Sequence, residues 1–141
     1  MKFRLISRVL GIGLIAFSFL QLTPIIVSII YNEDNIAAFA YSFLITLAFG
    51  SFLYLVNFEK KYEGIRVKEG FLLTVLLWLF FTIFATLPLV FGNKSGLTIV
   101  SAYFEATSGL TTTGATIFSD LSNEYYSILF YRGLLQWIGG L

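Results

Sequence analysis

Long uncharged apolar stretches are the feature that most constrains the fold of this chain. Three of them contain no Asp, Glu, Lys or Arg: Val9–Ile30, Ala37–Phe58 and Phe71–Phe91. Each is about as long as the ~20 residues that an α-helix needs to cross a bilayer. The chain is 57% hydrophobic and 12% charged, whereas about a quarter of the residues in soluble domains are charged. The sequence therefore predicts an all-α, multi-pass integral membrane protein.

The first apolar stretch reads as a retained helix. It exceeds the about 7–15 apolar residues of a secretory signal and has no small-residue cleavage site; Pro24 is expected to kink it. The polar turn Tyr31–Asn35 leads to the second span, in which Gly50 allows either close helix packing or simple flexibility. Residues 1–62 are therefore predicted to form a two-helix transmembrane hairpin. The third span follows and ends near Pro88.

Basic residues predict the orientation of these spans. Lys94 is alone among the polar connections on one side of the predicted spans. The basic residues of the other side are Lys2, Arg4, Arg8, Lys60, Lys61, Arg66 and Lys68. Because positively charged connections stay in the cytoplasm, we expect a cytoplasmic N-terminus.

The stretch Thr98–Thr116, TIVSAYFEATSGLTTTGAT, combines a short helical pattern with a run rich in threonine and glycine. Thr98 or Ser95 can cap the start of the helix, and Gly109 is expected to end it as a left-handed residue. Irregular backbone at membrane depth is tolerated only where protein buries it or where it lines a water-filled cavity. Composition alone leaves a second interpretation, a surface loop between two helices.

The run after the helix has the residue types of a cation filter. β-Branched threonines favour extended backbone, and Gly114 can adopt a positive φ at little cost. Backbone carbonyls in such a run can replace the hydration shell of a potassium ion. The predicted ion-binding residues, called here the threonine segment, are Thr111, Thr112, Thr113, Gly114, Ala115 and Thr116. Within it, potassium is expected at the carbonyls of Thr112, Thr113 and Gly114.

Four charged residues flank the threonine segment. Glu105, inside the short helix, could raise the local cation concentration or hydrogen-bond the backbone behind the segment, and we favour the second role. Arg132 could snorkel to the membrane interface, repel cations, or pair with Glu105, Asp120 or Glu124. Asp120 and Glu124 could form an attractive vestibule, but we expect them to be solvated loop residues.

Two longer motifs resemble a known family. FEATSGLTTTGAT, followed by FYRGLLQWIGGL at Phe130–Leu141, closely resembles the first pore repeat of TrkH-type potassium uptake proteins, in the superfamily of Trk, Ktr and HKT cation transporters. VKEGFLLTVLLWLFFTIFATLPL, Val67–Leu89, is similar to the first core membrane helix of that family. The resemblance implies that residues 67–141 form one helix–pore loop–helix (M1-P-M2) repeat of a four-repeat, cation-channel-like fold.

The resemblance also implies a function. It implies potassium uptake across the bacterial inner membrane through a carbonyl filter, with sodium or proton coupling left open. A filter with one glycine is expected to discriminate only modestly between potassium and sodium. Further implied properties are a homodimeric full-length protein, a cytosolic TrkA-type nucleotide-binding regulatory subunit, and a glutamate at the position of Glu105. Because only the first repeat is present and its last helix is incomplete, we expect a truncated fragment that does not transport by itself.

Other classes of function compete with this interpretation. A homotetrameric cation-channel subunit would need a complete last helix, and a non-transporting accessory or scaffold protein would tolerate substitution of Gly114. An enzyme is the weakest alternative, because the chain has no His and no Cys and only Glu105 is expected at membrane depth. Without a basic face or a stacking platform, nucleic-acid binding is not expected. No cofactor other than the transported ion is predicted.

Overall fold

The computed structural model describes residues 3–56 and 64–141, and all regular structure in these two parts is helical. The helices α1 with α2, α3 and α4 are long and apolar enough to cross a membrane, which confirms the all-α membrane fold. The predicted second-span end at Phe58, and Lys2, Lys60 and Lys61, lie outside the described residues. The helices are α1 (Phe3–Leu20), α2 (Thr23–Ile30), α3 (Ile36–Val56), α4 (Val67–Gly92), α5 (Ile99–Leu110) and α6 (Tyr126–Gly140), and a 3₁₀ turn, Leu121–Asn123, precedes α6.

The first span consists of two helices rather than one kinked helix. α1 begins at Phe3, before the predicted start, and ends at Leu20; α2 begins at Thr23. Pro24 lies in the first turn of α2, where its missing N–H would have no partner within the helix in any case. Pro24 therefore helps to start the second helix instead of bending the first.

Two glycines let α1 and α3 approach closely. A Cβ added to Gly11 would lie 2.7 Å from the carbonyl oxygen of Gly50, and one added to Gly50 would lie 3.0 Å from that of Gly11. Membrane helices gain much of their association energy from such close backbone packing. Of the two roles considered for Gly50, close packing is confirmed.

α4 continues through Pro88 to Gly92. Because Pro88 has no N–H, the Phe84 carbonyl lacks its usual helical donor. Gln21, in the break between α1 and α2, supplies one, since its Nε2 donates to the Phe84 oxygen at 3.0 Å. The Gln21 Oε1 accepts a hydrogen bond from Thr46 Oγ1 at 3.1 Å. One buried amide therefore joins the first span to α3 and α4.

The short helix α5 packs between α4 and α6. α4 also contacts α1 and α3, and α2 contacts α6. Residues 3–56 thus pack directly against the part that contains α5. The division into a hairpin of residues 1–62 and a repeat of residues 67–141 stays a prediction.

Candidate functional site

The helix α5 starts at the predicted capping residue. Thr98 Oγ1 accepts a hydrogen bond from the Ser101 N–H at 3.2 Å, so Thr98 rather than Ser95 provides the side-chain cap. The helix has 12 residues and is therefore about 18 Å long, too short for the about 30 Å of a hydrocarbon core. α5 therefore ends part-way along the longer helices, and the residues after it start from there.

The end of α5 differs from the prediction. The left-handed residue is Thr112, with φ 59°, whereas Gly109 is helical. The Thr112 N–H bonds to the Gly109 carbonyl at 2.9 Å and the Thr113 N–H to the Ser108 carbonyl at 3.0 Å, the pair of bonds of a Schellman cap. The expectation for Gly109 was wrong: α5 continues through it to Leu110, and Thr112 takes the left-handed position although a β-branched residue rarely does. Gly109 instead permits close packing, since a Cβ there would lie 3.1 Å from Leu135 Cβ.

The threonine segment presents free backbone oxygens. All six of its residues are exposed and non-helical, and Gly114 has φ 76°. Within residues 3–56 and 64–141, the carbonyls of Thr111, Thr112, Thr113 and Gly114 accept no hydrogen bond. The carbonyl of Ala115 accepts one from Ser108 Oγ at 2.6 Å. Four successive carbonyls therefore remain available to a ligand, and the fifth is already bonded to α5.

Glu105 holds the far end of the threonine segment. Its side chain is buried at 2% exposure, and Thr116 Oγ1 donates to its Oε1 at 2.6 Å. The Ile117 N–H donates to the same oxygen, and Arg132 Nε donates to Oε2 at 2.9 Å. The carboxylate thus joins α5, the end of the segment and α6. Glu105 therefore hydrogen-bonds backbone just after the segment, and its favoured role behind an ion filter stays a prediction.

Arg132 pairs with Glu105, one of the alternatives that its sequence position left open. Its guanidinium carbon also lies 5.3 Å from the centre of the Phe118 ring. Asp120 does not take part: it accepts hydrogen bonds from the Ser122 hydroxyl and N–H, and these hold the pKa of its exposed carboxyl below the usual range. The structure therefore brings together the threonine segment, Glu105 and Arg132.

Glu124 is buried at 5% exposure, which corrects the expectation of a solvated loop residue. Its carboxylate accepts hydrogen bonds from the Lys94 N–H and from Ser95 Oγ, both at 2.6 Å. It therefore joins the connection before α5 to the connection before α6 by hydrogen bonds. The sequence offered no signal for this contact, because its partners lie about thirty residues earlier.

Two further polar residues that sequence reasoning missed hold the start of α6. Glu33 accepts hydrogen bonds from the N–H groups of Tyr126 and Ser127 at 2.6 and 3.1 Å, which satisfies free donors at a helix N-terminus. Asn35 Nδ2 donates to the Gly92 carbonyl at 3.2 Å and to Ser127 Oγ at 2.8 Å. The turn after α2 therefore positions the helix that stands beside the threonine segment.

The family model described as "Cation transport protein", TrkH, matches residues 35–141. This chain belongs to the TrkH family. It is 43% identical over 141 residues to the Trk system potassium uptake protein TrkH of Escherichia coli K12, and 38% identical over the same length to that of Halomonas elongata. It is 33% identical over 138 residues to the Trk system potassium uptake protein TrkG of Escherichia coli K12.

A solved TrkH structure has the same fold. The crystal structure of the potassium transporter TrkH from Vibrio parahaemolyticus matches with a TM-score of 0.93 and 36% identity, over 99% of this chain and 30% of that one. The two TrkH relatives above are each covered over 29% of their length, and all of this chain is included, while TrkG is covered over 28% by 98% of this chain. This chain therefore corresponds to less than a third of these TrkH-family proteins.

Proposed function

We propose that this chain forms one wall of a path for potassium uptake across the membrane, with the carbonyls of Thr111–Gly114 as the cation ligands. The observation that carries the proposal is the row of four carbonyls without hydrogen bonds on exposed backbone after α5. Names of relatives as potassium uptake proteins support potassium as the cation. The proposal assigns no catalytic step and no cofactor to this chain.

Backbone carbonyls without hydrogen bonds are costly inside a membrane. An unpaired backbone oxygen in hydrocarbon costs several kcal/mol, so these four need water or a cation in front of them. Backbone carbonyl oxygens can replace the hydration shell of a potassium ion. α5 points its C-terminus at the segment, and the negative end of a helix dipole also favours a cation.

One row of oxygens cannot surround an ion. The exposed face of Thr111–Gly114 therefore needs further walls, which we assign to other repeats of a four-repeat protein. By family resemblance we extend the proposal to a homodimer, a TrkA-type nucleotide-binding subunit in the cytosol, and only modest preference for potassium over sodium. The basic residues near the N-terminus support a cytoplasmic N-terminus in the bacterial inner membrane.

Rubidium uptake tests the ion path. The whole gene product is expressed in bacteria that lack potassium uptake, as wild type, Gly114→Asp and Gly96→Asp. Gly96 is the matched control: it also has a positive φ, 69°, but lies in the connection before α5, with nothing within 4 Å of an added Cβ. We expect Gly114→Asp to reduce uptake to background and Gly96→Asp to retain it, at equal amounts in the membrane.

Two results would count against the proposal. Equal uptake by wild type and Gly114→Asp would move the ion path away from this backbone. No uptake by the wild-type protein, at normal membrane accumulation, would favour an accessory or scaffold role.

A further inference from the structure

α6 runs beside the threonine segment in the opposite direction, so that later residues of the segment lie beside earlier residues of α6. A Cβ added to Gly140 would lie 3.9 Å from Thr112 Cγ2, and one added to Gly114 would lie 3.7 Å from Gln136 Nε2. One turn further towards the start of α6, Arg132 holds the carboxylate that binds the end of the segment. Three residues of α6, spaced four apart, thus face the threonine segment at successive levels.

The three residues lie on one face of α6, because residues four apart stand one above the other on an α-helix. The segment itself is not extended chain, since Thr112 and Gly114 both have a positive φ. Of the three facing residues, only Gln136 places a neutral hydrogen-bonding group at the level of Gly114.

The side chain of Gln136 has no polar partner within the described residues. Its side chain is exposed and forms no hydrogen bond within the two described parts of the chain. A polar side chain at membrane depth is costly unless it finds a polar partner. The peptide groups on either side of Gly114, and water or a cation in front of them, are the polar groups at its level.

We propose that Gln136 is a positioning residue for the ion path: when a cation is bound, its carboxamide hydrogen-bonds a peptide group beside Gly114 from the side of α6, a bond that is not formed within the described residues. This bond keeps the positive φ of Gly114 and sets how far the neighbouring carbonyls stand from the ion. The inference rests on the proposed function, and it names Gln136 as a determinant of cation preference rather than a cation ligand.

The test measures preference rather than amount of uptake. Rubidium uptake by the whole gene product is measured at increasing sodium concentrations for wild type, Gln136→Met and Gln136→Glu. Met keeps the length of the side chain without its donors, and Glu keeps the shape but replaces the donor by an acceptor. Trp137→Leu is the control, because Trp137 is exposed and points about 100° around the helix from Gln136.

We expect sodium to halve rubidium uptake at about threefold to tenfold lower concentration in Gln136→Met, the range that one net hydrogen bond supports. Gln136→Glu should shift in the same direction, and Trp137→Leu should match wild type. If Gln136→Met does not accumulate in the membrane, sodium inhibition of rubidium uptake in Gln136→Glu serves as the test. If neither accumulates while Trp137→Leu does, Gln136 serves folding and the inference is wrong.

Comparison with Gly114→Asp separates the two proposals. Loss of uptake in Gly114→Asp, together with unchanged sodium inhibition in both Gln136 variants, would overturn the inference and leave the ion path in place. Wild-type uptake in Gly114→Asp would overturn the proposed function itself, and the inference with it.

Discussion

Arg132 Nε lies 2.9 Å from Glu105 Oε2 and joins α6 to α5 at the end of the threonine segment. Glu105 is almost fully buried, and the Arg132 side chain is 15% exposed. The other carboxylate oxygen binds Thr116 and the Ile117 N–H. The ion pair therefore connects the helix beside the segment to the hydroxyl of Thr116, the last residue of the segment, and to the backbone N–H that follows it.

We expect Arg132→Leu to lower the free energy of unfolding by about 3–5 kcal/mol, because it leaves the Glu105 charge buried without its partner. The double variant Arg132→Leu with Glu105→Gln should recover part of this loss, since a neutral amide needs no counter-charge. Unfolding in mixed micelles provides the measurement. Strictly additive effects of the two substitutions would show that the charges are not coupled.

Gly139→Ala should displace the end of α5. The added Cβ would lie 1.9 Å from the Leu110 carbonyl oxygen, so backbone must move next to the threonine segment. We expect poor accumulation or loss of rubidium uptake. Gly133→Ala in the same helix is the matched control: nothing lies within 4 Å of its Cβ, and higher helix propensity should stabilise it by up to about 1 kcal/mol. Equal behaviour of the two variants would contradict the close contact.

Asn35→Ala should destabilise the packing of α2, α4 and α6. Asn35 is buried and bonds to Gly92 and Ser127, so its loss leaves buried polar groups unpaired at a cost of about 1–3 kcal/mol. Asn123→Ala, which removes an exposed bond to Asp120, should change stability by about 0.5 kcal/mol or less. Thermal unfolding of both variants in detergent compares them directly, and similar losses would argue against a special role for Asn35.

The bond from Gln21 to the Phe84 carbonyl predicts a dependence on Pro88. Gln21→Leu should cost about 1–3 kcal/mol, because the Phe84 oxygen loses the donor that Gln21 supplies in place of the missing Pro88 N–H. In a Pro88→Ala background, the new N–H can bond to that carbonyl, so Gln21→Leu should cost less there. A double-mutant cycle of unfolding free energies measures the difference. An identical cost in both backgrounds would show that the contribution of Gln21 to stability does not depend on Pro88.

Local sequence patterns predicted much of the fold and of the candidate site. Uninterrupted apolar runs located α1 with α2, α3 and α4, and the threonine run located the exposed backbone after α5. The pattern could not predict that Thr112 rather than Gly109 takes the left-handed position. Single-residue preferences favour glycine there, whereas in the structure Gly109 lies within α5, where an added Cβ would be 3.1 Å from Leu135 Cβ.

These local patterns could not predict long-range contacts. Glu33 looked like part of a polar turn, yet its carboxylate caps a helix 93 residues later in the chain. Glu124 looked like a solvated loop residue, yet it is buried and bonded to the connection before α5. Charge and position along the chain do not reveal which distant N–H groups a carboxylate meets.

The sequence by itself determined that this is a helical membrane protein and where its irregular backbone lies, because span length, helix caps and β-branched runs act locally. Its motifs, and not these local preferences, carried the resemblance to the TrkH family. Only the tertiary structure decided which groups hold that backbone. Glu105 and Arg132 meet across two helices, and a Cβ added to Gly114 would lie 3.7 Å from Gln136 Nε2, because α6 packs against α5 in one particular register. That register depends on where Gly139 and Gly109 let the helices approach, which no segment of the chain specifies alone.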